Sequence, residues 1–164
     1  MTGYTRAIED YLEAIFLLER RQRVVRVKDV ASFLGIKNPS VVAALKSLAE
    51  KDLVEHESYG HIELTPKGRA VGEEIYARHM MLFAFFHEVL GLSPEVAEED
   101  ACRLEHHLSA EARGRILQLV EFVRACPAGE VRFLQHFQHY VRTSERPAGC
   151  SECSKCDTEP LFIP

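Results

Sequence analysis

No run of about 18 consecutive apolar residues occurs in the 164-residue chain, so the sequence offers no helix to span a bilayer. The opening stretch MTGYTRAIEDYLEAIF places acids inside its first apolar segment and lacks the pattern of a signal peptide, so the expected location is the cytosol. Positive charge is short as well. The formal net charge is −5, which by itself argues against a nucleic-acid partner. Only five cysteines are present, and in a cytosolic chain metal binding or plain burial is expected of them rather than a disulfide framework. There is no internal repeat, no low-complexity run and nothing resembling a substrate-binding loop.

What is present is an ordinary globular composition, 46 % hydrophobic and 27 % charged, in a length that suits one or two domains. Charge is unevenly placed. Residues 1–72 hold 11 Lys+Arg against 10 Asp+Glu, whereas residues 73–164 hold 9 against 15. The acid lies in the second half.

The pattern is mainly helical. Ile8, Leu12, Ile15 and Leu18 recur at helical spacing within TRAIEDYLEAIFLLER. VKDVASFLG reads as a short helix closed by Gly35. NPSVVAALKSLAEKD follows, with Asn38 as N-cap, Pro39 at the first helical position and Val41, Leu45 and Leu48 inward. Two short helices joined by a tight turn form a helix-turn-helix candidate. DLVEHES and HIELT then alternate as strands around Tyr59-Gly60, a hairpin or wing. Thr65-Pro66 caps a long helix expected to end near Leu90, at Gly91.

Ser40, Ala43, Ala44 and Ser47 fall at i, i+3, i+4 and i+7 on the second short helix, one expected outward face. Small residues there let the backbone lie deep in a major groove. Lys37, Lys46 and Lys51 flank that face and suit phosphates. The candidate DNA contacts are therefore Lys37, Pro39, Ser40, Ala43, Ala44, Lys46 and Ser47, with Tyr59 in the wing. The plainer alternative is that small residues here only favour helix.

The second half predicts three more helices. One starts at Ser93-Pro94 and contains CRLEHHLS. Another, SAEARGRILQLVEFVRAC, turns Ile116, Leu119, Val120 and Val123 inward, and a last, EVRFLQHFQHYVR, places Val131, Leu134 and Phe137 on one face. Within CRLEHHLS, Cys102, Glu105 and His106 lie at i, i+3 and i+4 and are expected on one helix face. His107 points about 140° away from their centre. Thiol, carboxylate and imidazole suit a borderline divalent transition metal better than calcium or magnesium. Three ligands on one helix seldom close a site. His79, on an apolar face with Ile75, Leu82 and Phe86, and the pair Asp10 and Glu13 are further candidates, each with an ordinary reading as a hydrogen-bonded histidine or as solvated acids.

Together these stretches resemble the diphtheria toxin repressor family of metal-dependent transcription regulators. EDYLEAIFLL, VKDVASFLGIKNPSVVAALKSLAEKDLVEH, GHIELTPKGRAVGEEIYARHMML and CRLEHHLS stand where that family has its equivalents, covering most of residues 5–125. The resemblance implies a winged helix-turn-helix DNA-binding domain over 1–72 and an all-helical metal-binding and dimerisation domain over 73–142. A Cys-rich tail over 143–164 follows. By position it implies the metal ligands Asp10, Glu13, His79, Cys102, Glu105 and His106. With Asp10 and Glu13 so engaged, the rest of the first half carries about +3, enough for modest phosphate attraction.

The match is a hybrid. The iron-responsive branch has Met where this chain has Asp10, as the manganese branch does. The manganese branch has Glu where this chain has Cys102, as the iron branch does. An ancillary site of the iron branch, built from a Glu and a His, meets Phe83 and Glu98 here, which implies that it is lost or rebuilt. No counterpart of the iron branch's third, SH3-like domain is found, as in the two-domain manganese regulators. Because a thiolate replaces a hard carboxylate, Fe(II) is favoured over Mn(II), although raw affinity in vitro favours zinc or copper.

The function expected is that of a homodimeric, metal-activated repressor of metal-uptake genes that binds a palindromic operator in double-stranded DNA. A binuclear metallohydrolase is allowed by the ligand types, but it leaves the helix-turn-helix and wing without a job. A metal-independent DNA-binding protein with a decayed ligand set is a third reading. The tail CSECSKC adds Cys150, Cys153 and Cys156, with Cys126 as a possible fourth thiolate. Tetrahedral Zn(II), an iron–sulfur cluster and no stable metal all remain open there.

Overall fold

The computed structural model describes residues 3–56, 61–126 and 132–145. Helix α1 (Arg6–Arg21) is amphipathic and buries Leu12 and Ile15 completely. Helix α2 (Val27–Leu34) stops at Gly35, whose φ of 66° is left-handed and suits a residue without a side chain. Helix α3 (Asn38–Glu50) opens with Pro39 in its first turn. Its cap position falls on Lys37 rather than on the expected Asn38, and no side chain caps it. Val41, Leu45 and Leu48 turn inward against α1 and α2.

Strands β1 (Val54–His56) and β2 (Ile62–Leu64) pair antiparallel with Val54 opposite Leu64. The Ile62 N–H donates to the Val25 carbonyl at 2.8 Å, which ties the hairpin to the chain before α2. Glu19 of α1 accepts the Leu64 N–H at 2.8 Å, so the wing is anchored to the helix that runs beneath it. Tyr59 and Gly60, expected in the wing turn, lie outside the described residues.

Helix α4 (Pro66–Ala84) begins at Thr65, whose hydroxyl accepts the Gly68 N–H at 3.0 Å and donates to the Asp52 carbonyl at 2.8 Å. The helix passes without a break from one apolar core into another. Its Ile75 belongs to the core of α1–α3 and the wing. Its Leu82 packs instead with Phe86, Ala97 and Ala101. The expected end near Leu90 is a π turn over Phe85–Val89, followed by Gly91 at φ 73°. Ser93 caps α5 (Pro94–Leu104) and Ser109 caps α6 (Ala110–Arg124), each through its hydroxyl. Helix α7 (Arg132–Thr143) leans Leu134 on Val120 and Val123.

One expectation for the second half changes. Val120 is buried and Ile116 and Val123 are half-buried, but Leu119 is exposed, because α7 covers only one side of α6. Leu117, Leu119 and Phe122 on α6, with Phe133, Tyr140 and Val141 on α7, leave a large apolar surface uncovered in the single chain. Val131 lies outside the described residues.

Candidate metal centre and nucleic-acid face

CRLEHHLS does not form one helix. Helix α5 ends at Leu104, because Ser109 must be free to cap α6 and the chain turns between them. The Glu105 N–H still donates to the Ala101 carbonyl at 3.0 Å, whereas the His107 N–H bonds three residues back to Leu104 at 2.9 Å. Glu105 thus keeps its helical direction, and His106 leaves it. The expected common face of Cys102, Glu105 and His106 is replaced by an arrangement in which Glu105 and His106 turn inward. Cys102 stays exposed, lining the cleft that also holds Glu13, His79 and Glu98.

Glu105 is the centre, with its side chain 1 % exposed. Its Oε2 lies 3.2 Å from His79 Nδ1 on α4, and its Oε1 lies 3.2 Å from His106 Nε2. His106 Nε2 is also 3.0 Å from Asp10 Oδ1 on α1. Glu13, His79 and Glu105 each offer a ligand atom, and these atoms lie within 4.8 Å of one another. Helices on both sides of the junction therefore contribute donors to one place. Cys102 is not in that innermost group, and His107 is exposed.

Two acids outside the expected ligand set also belong here. Glu98, expected at a lost ancillary site, places Oε2 3.2 Å from His79 Nε2. Phe83 joins the apolar cluster around Leu82 instead. Glu9 places Oε2 2.7 Å from His106 Nδ1. Glu98 stands at an (i, i+4) step before Cys102, a spacing that could have drawn notice. Glu9 had no signal beyond its place beside Asp10.

The charges act on one another. Burial, and after it the Glu105 charge, pushes the Glu13 carboxyl up to about 7. Burial opposes the charged form of His79, but hydrogen bonds to Glu105 and Glu98 outweigh it and raise the imidazole to about 9. His106 rises to about 10 through Asp10 and Glu105. Glu105 is held below the usual carboxylate range because the two histidines overcome the cost of its burial. Burial, then the charges of Glu105, Glu13 and Asp10, raise the Cys102 thiol.

A sign follows for the metal-free protein. Histidines raised in the folded state stabilise it fully below their unfolded value of 6.5, and that stability is lost as pH climbs through about 9 and 10. Urea denaturation with chelator present should show stability falling from pH 6.5 to 9. Divalent-cation affinity should rise over the same interval, because the imidazoles must lose protons to bind. A flat affinity profile would exclude these histidines as ligands.

The donor set suits a cation. Glu105 Oε1 and His106 Nε2 are buried and, despite their closeness, neither has an aligned hydrogen-bond partner among the described residues. Buried polar atoms ordinarily have partners. Glu105 contributes both to this unsatisfied pair and to the group of Glu13, His79 and Glu105 whose ligand atoms lie within 4.8 Å of one another, a mixture of carboxylate and imidazole donors that suits a divalent transition-metal cation. At the other proposed cluster, Cys126 is half-buried at the end of α6, and Cys150, Cys153 and Cys156 lie outside the described residues.

On α3 the outward face is rotated from the expected one. Lys37, Pro39, Ser40, Ala43 and Lys46 are exposed, but Ala44 and Ser47 are half-buried. Helix α1 stands beside α3, its Tyr11 hydroxyl donating to the Ser40 carbonyl at 3.5 Å. Val42, exposed beside Ala43, takes the vacated place on the open face.

A winged helix-turn-helix joined through one long helix to a helical unit, with metal donors at the joint, defines a metal-responsive DNA-binding regulator. Comparison with known proteins agrees. Residues 4–62 match the family described as "Iron dependent repressor, N-terminal DNA binding domain", and residues 65–134 match "Iron dependent repressor, metal binding and dimerisation domain". The HTH-type transcriptional regulator MntR of Geobacillus kaustophilus is 36 % identical over 118 residues, covering 72 % of this chain and 83 % of that protein. Among solved structures, a manganese-dependent transcriptional repressor in complex with manganese superposes with a TM-score of 0.65 at 29 % identity, over 74 % of this chain and 56 % of that one. IdeR of T. acidophilum superposes with a TM-score of 0.64 at 25 % identity, over 78 % and 59 %. This chain therefore spans less than two thirds of either solved chain. It belongs to the diphtheria toxin repressor family of metal-dependent transcriptional regulators, which are DNA-binding proteins and not enzymes, so the metallohydrolase reading is set aside. Among the described residues no helix is long and apolar enough to cross a membrane.

Proposed function

We propose that this chain is an Fe(II)-responsive repressor whose ligands are Asp10, Glu13, His79, Cys102, Glu105 and His106. The observation that carries the proposal is the convergence on Glu105 of donors from α1, α4 and the end of α5. A bound divalent cation supplies positive charge that, beside Glu105, protons on His79 and His106 otherwise provide. Asp10 and Glu13 ride on α1, and α1 also holds α3 through the core and through Tyr11. Fixing those carboxylates against Glu105 and His106 fixes the attitude of α3 relative to the dimerising helices. Unneutralised, the same carboxylates repel and leave that attitude loose. The exposed apolar surface of α6 and α7 supports pairing of two chains, which presents two α3 helices to a palindromic operator.

Fe(II) is chosen for the Cys102 thiol at the rim of the cleft. Mn(II) is the second reading, favoured by the innermost group of two carboxylates and one imidazole and by the manganese-dependent relatives. Anisotropy titrations of a palindromic operator, with Fe(II) under anaerobic conditions and with Mn(II), each at controlled free concentration, test the proposal. Metal should tighten operator binding by about 5–150-fold. Cys102→Ser should shift the preference from Fe(II) toward Mn(II) by about tenfold, or 1.4 kcal/mol. Equal operator affinity with and without metal would reject the mechanism, and an unchanged preference in Cys102→Ser would reject Fe(II).

A further inference from the structure

Glu9 precedes Asp10 on α1, and its side chain is buried. One oxygen, Oε2, lies 2.7 Å from His106 Nδ1, across 97 positions of sequence. The other, Oε1, lies 3.6 Å from the Arg78 guanidinium on α4. Arg78 is itself buried and paired with Glu74 one helical turn away. His106 is thus held on one nitrogen by a chain of three charged groups from two helices. Its other nitrogen, Nε2, faces Asp10 and Glu105.

The two nitrogens of an imidazole point away from each other, so a group on Nδ1 does not share a cation with Nε2. Glu9 is therefore behind the ring and not in the donor set. A carboxylate only accepts hydrogen bonds, so at the Glu9 contact Nδ1 carries the proton. In neutral His106 the free lone pair is then on Nε2, the buried atom that lacks an aligned partner. A ligand histidine held from behind by a carboxylate has a defined tautomer, a fixed ring plane and greater basicity.

We propose that Glu9 is a positioning residue that presents His106 Nε2 to the cation, with Arg78 holding the Glu9 carboxylate in place. This rests on the metal-site reading above. A plain ion pair between α1 and the turn after α5 would pin the two elements together whichever nitrogen bore the proton. The test must therefore read the ring itself.

Glu9→Gln keeps the size of the side chain and removes its charge. Mn(II) affinity is measured by competition with a chelator, and long-range proton–nitrogen NMR of the Zn(II)-loaded protein reads the two His106 nitrogens. The wild-type protein should show a protonated Nδ1 and a metal-bound Nε2. In Glu9→Gln the Mn(II) affinity should fall about 10–100-fold, and the His106 Nδ1–H proton, facing a neutral amide in place of a carboxylate, should lose its downfield shift. Unchanged affinity, or weaker affinity with that His106 shift intact, overturns the proposal, since Glu9 then acts through the fold alone. His106→Ala separates the two levels. If it binds Mn(II) as the wild type does, the metal-site reading fails; if it loses Mn(II) and Glu9→Gln does not, only the role of Glu9 fails. Should Glu9→Gln not fold, Glu9→Asp, one methylene shorter with its charge kept, carries the same two measurements.

Discussion

Glu105→Ala is expected to abolish the response to metal and to destabilise the metal-free protein by about 3–5 kcal/mol. The effect is large because the carboxylate serves two partners at once. Each of its oxygens lies 3.2 Å from a different histidine, one on α4 and one in the turn after α5. Removing it leaves two imidazoles, both raised well above their ordinary range in part by Glu105, facing an unfilled volume. Titration of the variant with metal should give a single operator affinity with and without cation, equal to that of the metal-free wild type. Urea denaturation under chelation measures the second part. A variant that retained a metal response would show that the cation is held without Glu105, and the centre would have to be redrawn around Asp10 and His106.

Gly68→Ala is expected to cost more than about 4 kcal/mol, or to prevent folding. A methyl group at Gly68 would stand 1.8 Å from the carbonyl oxygen of Leu53 and 2.8 Å from its carbon. Both atoms are backbone, so no rotamer change relieves the clash. The same turn carries the Thr65 cap and the Thr65 N–H bond to the Leu53 carbonyl at 3.1 Å, so backing away breaks the start of α4. Gly114→Ala is the contrast. Nothing lies within 4 Å of its added methyl, and in an exposed stretch of α6 it should stabilise the chain by about 0.5–1 kcal/mol. Denaturant midpoints of the two variants, which differ from wild type by one methyl each, should move in opposite directions.

Much of the first unit is legible in sequence because its signals are local. Pro39 inside a first turn, Gly35 after an apolar stripe and Thr65 before Pro66 each act on the backbone within a few residues. All three hold in the structure. The outward face of α3 was misjudged because it depends on where α1 lies, and no periodicity within α3 contains the reach of Tyr11. CRLEHHLS misled for a related reason. Helical spacing assumes that the helix continues, and the cap at Ser109 ends it among the ligands. Glu9 and Glu98 are not legible as parts of this centre because each matters only through a histidine on another element. The π turn at Phe85–Val89 had no counterpart in the apolar pattern, which continues smoothly through it.

The donors differ in how deeply they are built into the protein. Glu105 and His106 are almost wholly enclosed, with side chains 1 % and 3 % exposed; Glu105 meets His79 of α4, and His106 meets Glu9 and Asp10 of α1. Asp10 is 39 % exposed, and Cys102 lies at the surface of the cleft. Those outer two are also the positions at which the family resemblance makes this chain a hybrid of the iron and manganese branches. Exchanging Cys102 opens no void in the core, and exchanging Asp10 leaves Glu9 and Glu105 beside His106. The inner pair allows no such exchange. On the proposed ligand set, metal preference rests on the exposed positions and the metal response on the enclosed ones, so substitution can alter the first without dismantling the second.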